Sequence, residues 1–150
     1  MTPAVEAARR AGIAFSLHEY DGVAVGEGDY GVAVAAVLGR PPGQLFKTLV
    51  ASVDGTLAVF VVPADRQLDL RAAGKRTALA GRAEAERATG YVVGGISPLG
   101  QRRTLQTTLD SSALDWETVL VSAGRRGLQI ELAPHDLARL TAARVARIAT

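Results

Sequence analysis

Residues 44–62, QLFKTLVASVDGTLAVFVV, decide the fold. Two apolar, β-rich runs, 44–53 and 56–62, flank the pair Asp54-Gly55. Such a pair predicts a two-residue hairpin, because both turn positions need positive φ and these residues adopt it with little strain. Antiparallel pairing follows, with Lys47 and Thr48 on the first strand. Side chains alternate across a strand. Leu45, Lys47 and Leu49 therefore share one face, and Phe46, Thr48 and Val50 the other. A lysine between leucines either holds its ammonium in water at an edge or points into a partly dry cavity. There it would bind a carboxyl or phosphate oxygen, or offset developing negative charge.

Upstream, Thr2-Pro3 predicts a capped amphipathic helix that Gly12 ends. Residues 13–19 alternate in part, as a half-buried strand does. The glycine- and acid-rich segment 21–29 reads as a loop, and 30–38 as a buried helix stopped by Gly39 and Pro41-Pro42. Downstream, 68–74 and 82–89 read as short helices, the second with Glu84 and Glu86 on its polar face. Residues 90–100, GYVVGGISPLG, are too glycine-rich for an ordinary strand or helix and predict backbone in close approach to something. Residues 107–110, 118–122 and 128–132 are strand candidates, and 134–140 a closing helix with Pro134 in its first turn. This order lacks regular βαβ alternation. It predicts one mixed α+β domain over 1–150 rather than a doubly wound parallel sheet.

With 48% hydrophobic and 21% charged residues, the 150-residue chain is long and apolar enough to bury one core. It has no cysteine, which excludes a disulfide scaffold, a thiol nucleophile and a thiolate metal site. His18 and His135 stand far apart and no paired-carboxylate spacing stands out, so neither a metal nor a cofactor is expected. The first 15 residues do not form a signal peptide. No run approaches the roughly 20 apolar residues of a membrane span. A cytoplasmic location without membrane partners is the expectation. Of 17 positive residues, two are lysine and 15 arginine, and this uniformity singles out the lysine in the apolar run. Arg102-Arg103, Arg125-Arg126, Arg139, Arg144 and Arg147 are either solvated surface or, if the fold gathers them, a phosphate-facing patch.

The run from Gly94 to Gly100 matches neither common glycine-rich nucleotide motif. It reads as a tight turn or as a cradle of backbone N–H groups for an oxyanion or phosphate. Residues 124–127 read as a hairpin turn with charged tips, preceded by Ser122 at a strand end. His18 suits a satisfied edge position and His135 a solvated one, and no Ser/His/Asp arrangement is defensible.

Taken together, MTPAV at the start, Phe46-Lys47-Thr48-Leu49, the run TGYVVGGISPLG (89–100) and VSAGRRGL (121–128) resemble the YbaK/EbsC family. These are free-standing relatives of the editing domain inserted in bacterial prolyl-tRNA synthetases. The resemblance implies a mixed, strongly curved, barrel-like sheet flanked by helices. It also implies hydrolysis of mischarged aminoacyl-tRNA, in a branch similar to the Cys-tRNA(Pro) deacylases. The implied partner is aminoacyl-tRNA, tRNA(Pro) above all, with prolyl-tRNA synthetase as a second candidate.

By resemblance, Lys47 is the catalytic lysine and Thr48 follows it in the substrate site. Gly94 opens and Pro98 closes a G-x-x-x-P motif that contains Gly95 and Ser97. Tyr20, Tyr30 and Ser122 also fall on substrate-binding positions. Where similar sequences carry an acid, this chain has Gln129, which keeps hydrogen-bonding reach and gives up the charge. In the cysteine-specific branch the resemblance implies cleavage assisted by the substrate's own thiol, with water as the route for other side chains. Alanyl and seryl esters are alternative substrates. Gln129 also leaves open a non-catalytic tRNA- or synthetase-binding module, and a regulatory small-ligand protein is a third reading.

Overall fold

The structure, a computed structural model, describes residues 1–24 and 29–150. Helix α1 (Pro3–Ala11) begins as its sequence predicts: the Thr2 hydroxyl accepts the Val5 N–H, and Gly12 ends the helix in the left-handed region. Strand β1 (Phe15–Glu19) follows, then helix α2 (Tyr30–Val37). Residues 25–28 of the expected 21–29 loop lie outside the described residues. Strands β2 (Phe46–Val53) and β3 (Thr56–Pro63) form the expected hairpin. Its turn residues Asp54 and Gly55 have φ of 50° and 86°, the double positive φ that selected the pair.

The rest of the chain is α3 (Leu70–Ala73), β4 (Ala78–Leu79), α4 (Arg82–Thr89), β5 (Gln106–Asp110), a 3-10 turn, β6 (Val119–Ser122), β7 (Leu128–Leu132), α5 (Pro134–Thr141) and β8 (Arg144–Ala146).

The α+β class holds. Among the described residues the mixed β-structure is divided into two sheets, β1-β7-β6 and β4-β2-β3-β5-β8, and does not close into a barrel. They touch at one parallel bridge, Leu45 to Leu120. Pairing is also more mixed than the hairpin alone suggests, because β3–β5 and β5–β8 run parallel. The very short β4 and β8 have no sequence signature of their own and exist through their partners.

One core fills the space between the sheets, α1 and α5, through residues such as Val5, Phe46, Val59, Val61, Leu109, Ile130 and Leu137. The outer face of the five-stranded sheet is also covered, by Ala51, Phe60, Val62, Leu68 and Ile148. A third cluster joins α2 to the sheet junction through Val34, Leu45, Ala64 and Leu120. Burial on both faces is why the hairpin reads as continuous apolar sequence, with Val59 and Val61 on one side and Phe60 and Val62 on the other.

Two carboxylates pin the periphery. Asp110, 1% exposed, accepts the Ile148 and Ala149 N–H groups at 2.9 Å each, and so fastens the C-terminus. Glu131 accepts a two-pronged contact from Arg40 at 2.9 Å per arm, a His18 Nε2 contact at 2.8 Å and the Thr118 hydroxyl at 2.6 Å. His18 is thus the satisfied edge histidine expected from its strand.

Candidate active site

The cavity exists because β2 lacks a neighbour over part of its length. On one side of it, Leu120 N–H donates to Gln44 C=O, and farther along Ala80 N–H donates to Val50 C=O. Strand β4 meets β2 only at Ala51 and Ser52. Backbone groups alternate between the two edges of a strand. The main-chain groups of Thr48 therefore point to the same edge as those two carbonyls, beyond the Leu45–Leu120 bridge and short of β4, where no strand pairs with them among the described residues. Over this open edge lies a cavity of about 440 Å³. Such a volume suits a small-molecule-sized group.

Because the edge is open, side chains from both faces of β2 reach the cavity. Lys47 lies between Leu45 and Leu49, which belong to separate apolar clusters. Its ammonium is half-buried, and burial pushes its pKa below the ordinary lysine value. The carboxylates of Asp29 and Asp65 partly oppose this. Thr48 lies on the opposite face, and its buried Oγ1 has no hydrogen-bond partner among the described residues. Gln129 enters from β7 and is 2% exposed. Its Nε2 donates to Ser122 Oγ at 3.3 Å, while its Oε1 is buried and has no partner among the described residues. Two residues of the cavity wall thus each carry a buried polar atom without a partner among the described residues, a costly arrangement unless a function requires it.

The third wall is the loop after α4. Val93, Gly94 and Ile96 line the cavity. Gly94 has φ of 92°, and its N–H has no acceptor among the described residues. Opposite, Tyr30 opens α2, and its hydroxyl lies 3.0 Å from that of Tyr20. Burial first, then this hydrogen bond, pushes the Tyr30 pKa well up, so it remains a neutral phenol.

Six of the residues singled out from sequence thus share one cavity: Lys47, Thr48, Tyr30, Gly94, Ser122 and Gln129. Tyr20 stands behind Tyr30 as its hydrogen-bond partner. Gly95, Ser97 and Pro98 are not on the wall. A Cβ on Gly95 would lie 2.7 Å from the Arg125 backbone, so this glycine lets the loop press against the 124–127 turn. Ser97 is fully buried and its Oγ accepts the Leu99 N–H at 3.2 Å. Pro98 is buried beside it. The glycine-rich run therefore divides: its start meets the cavity and its remainder stitches the loop to the core.

Sequence reading missed Asp29, Asp65, Arg82 and Gln67. Asp65 acts on the charge of Lys47, Arg82 and Gln67 line the wall, and Asp29 does both. All four come from loops or helix ends that the fold brings in. The C-terminal arginines lie on several different elements. Arg126 reaches the cavity loop, whereas Arg139 pairs with Asp136 and Arg144 lies on β8, at the opposite end of the sheet from β4.

Among the described residues no group of three or more His, Asp or Glu is placed to hold a metal ion. Among them also, no helix is long and apolar enough to cross a membrane.

The likeness to known proteins is consistent. An Enterococcus faecalis protein described as a candidate Cys-tRNA(Pro)/Cys-tRNA(Cys) deacylase, EbsC, is 38% identical over 124 residues, covering 79% of this chain and 76% of that protein. A crystal structure described as a candidate trans-editing enzyme for prolyl-tRNA synthetase is 25% identical, with a TM-score of 0.80 over 100% of this chain and 99% of that one. The crystal structure of a hypothetical protein is 26% identical, with a TM-score of 0.87 over 99% of both chains. Residues 29–140, which span β2, the Gly94 loop, Ser122 and Gln129, match the family described as the aminoacyl-tRNA editing domain, and the chain belongs to that family.

Proposed function

We propose that this protein is a deacylase that cleaves the ester between an amino acid and the 3′-terminal adenosine of tRNA, with Cys-tRNA(Pro) as its foremost substrate. The observation that carries the reading is the grouping around one cavity of the half-buried Lys47 with Thr48, Gln129 and Gly94, each of which has a polar group without a hydrogen-bond partner among the described residues. The 38% identity to a protein described as acting on cysteinyl esters supports the choice of aminoacyl group. The description of a structural relative as serving prolyl-tRNA synthetase supports tRNA(Pro) and suggests that synthetase as a partner. Such a substrate places the protein in the cytoplasm.

Lys47 holds an oxygen of the ester or of the terminal phosphate. The Gly94 N–H donates to the carbonyl oxygen as it gains charge, an arrangement that acts most strongly in a partly dry site. Gln129 Oε1 and Thr48 Oγ1 receive polar groups of the aminoacyl part. No histidine lines the cavity. The nucleophile is therefore assigned to the substrate or to water. With a cysteinyl ester the side-chain sulfur attacks the carbonyl carbon, the bond to the ribose oxygen breaks, and that oxygen takes the thiol proton. Water then opens the resulting cyclic thioester. With alanyl or seryl esters water adds directly and its proton goes to the ribose oxygen. In both routes positioning supplies most of the acceleration.

The test is Lys47→Ala. It should abolish deacylation while the circular dichroism spectrum and melting behaviour stay native-like. Activity equal to that of the parent would overturn the assignment.

A further inference from the structure

Both backbone groups of Val93 are held by charged side chains. Its N–H donates to Glu86 Oε2 at 2.8 Å. Its carbonyl accepts from Arg126 Nε at 2.9 Å. Glu86 is itself braced by Arg82, one turn earlier on α4, at 3.4 Å. The hydrogen bond to Val93 holds the Glu86 carboxyl below its ordinary pKa, so the acceptor is charged at neutral pH. The loop around this residue is closed by the Gly95 N–H donating to Val92 C=O at 2.9 Å.

The Val93 carbonyl and the Gly94 N–H belong to one planar peptide unit. The chain has no cis peptide bond among the described residues, so the two groups point in opposite directions. A guanidinium fixed on the Val93 oxygen therefore sets where the Gly94 N–H aims. It also polarises the unit and makes that N–H a stronger donor. Both Val93 and Gly94 line the cavity, and the Gly94 N–H has no other acceptor among the described residues. Arg126 is exposed, and Glu86 only half-buried on the polar face of its helix, so neither belongs to a hydrophobic core.

We propose that Arg126, on the Val93–Gly94 peptide, and Glu86, on the Val92–Val93 peptide before it, are positioning residues that hold the loop so that the Gly94 N–H meets the carbonyl oxygen of the scissile ester. This rests on the deacylase reading above. The clamp ties the second turn of α4 and the 124–127 turn to the reacting centre. It also gives Arg126 a task other than contact with RNA.

The test uses the full-length protein with aminoacylated tRNA, and nuclear magnetic resonance of the Gly94 amide. Removing an oxyanion donor outright costs about 10²–10³ in rate, so misaiming one should lower kcat by about tenfold in Arg126→Ala and in Glu86→Leu. KM should stay within about twofold and the melting temperature near that of the parent. Glu86→Gln, which keeps an acceptor for the Val93 N–H, should retain most of the activity. The Gly94 amide proton should move upfield in Arg126→Ala, as its peptide loses polarisation. An unchanged kcat with an unmoved Gly94 resonance overturns the proposal. So does a loss confined to KM that deepens with salt, which would make Arg126 a phosphate contact. If the parent protein deacylates nothing, the functional reading fails, and the resonance alone then decides whether the clamp exists.

Discussion

Replacing Gln129 by methionine separates a residue kept for function from one kept for the core. The side chain is 2% exposed, donates one hydrogen bond of 3.3 Å to Ser122, and leaves Oε1 without a partner among the described residues. A buried unmet acceptor costs about 1–3 kcal/mol, and a neutral hydrogen bond of this kind contributes about 1 kcal/mol. Methionine has a similar length and volume, removes the orphaned oxygen, and loses the Ser122 contact. Ser122 is only half-buried and can turn to water. The two effects leave the ligand-free variant between unchanged and about 2 kcal/mol more stable. At this chain length that corresponds to a rise of up to about 4–8 °C in Tm. Deacylation should fall at least tenfold, because a site built around a hydrogen bond discriminates strongly once it is missing. Differential scanning calorimetry and single-turnover deacylation read the two quantities. A Tm lowered by several degrees with activity retained would make Gln129 an ordinary core residue and refute the reasoning.

Two further outcomes follow from the carboxylates that pin the fold. The Arg40 hydrogen bonds, with those from Thr118 and His18, lower the Glu131 pKa to about 2 against the opposing effect of burial. Its stabilisation is therefore complete above the ordinary carboxylate pKa, near 4.3. It is lost as pH falls from about 5 towards 2, so Glu131→Gln should flatten the acid limb of a stability-against-pH curve. An unchanged acid limb would count against this. Asp110→Ala leaves the buried Ile148 and Ala149 N–H groups unpaired, which should cost about 3 kcal/mol. Asp110 does not line the cavity, so activity per folded molecule should persist below the new Tm. A loss of activity without a loss of stability would place it in the machinery instead.

The sequence made the hairpin legible through Asp54-Gly55, because a turn with two positive φ values tolerates few residue pairs. It also exposed Lys47, because a lysine inside a run buried on both faces conflicts with its surroundings. Helix α1 was readable for a similar reason: its ends carry their own chemistry in Thr2, Pro3 and Gly12. The open edge of β2 was not readable. It depends on where β4 and β6 stop pairing, and a two-residue strand carries no local pattern. The parallel placement of β8 beside β5 is likewise set by the Asp110 contacts to residues 38 and 39 positions away.

Within the site, the motif reading grouped Gly94, Gly95, Ser97 and Pro98 as one unit. Side-chain geometry splits them, since only Gly94 meets the cavity while Ser97 satisfies its own loop. The electrostatic partners of Lys47, Asp29 and Asp65, lie at the start of α2 and just after β3, at distances in sequence that no motif spans.

The central claim is that this cavity deacylates a small aminoacyl ester and that the Lys47 ammonium is essential to it. The most direct measurement compares single-turnover deacylation of Cys-, Ala- and Ser-tRNA(Pro) by the parent protein and by Lys47→Arg. A guanidinium is larger and differently shaped than an ammonium and fits a compact site poorly. The account predicts release of the amino acid by the parent, fastest from the cysteinyl ester, and a loss of activity in Lys47→Arg with the fold intact. No release from any of the three esters, or undiminished release by Lys47→Arg, would contradict it.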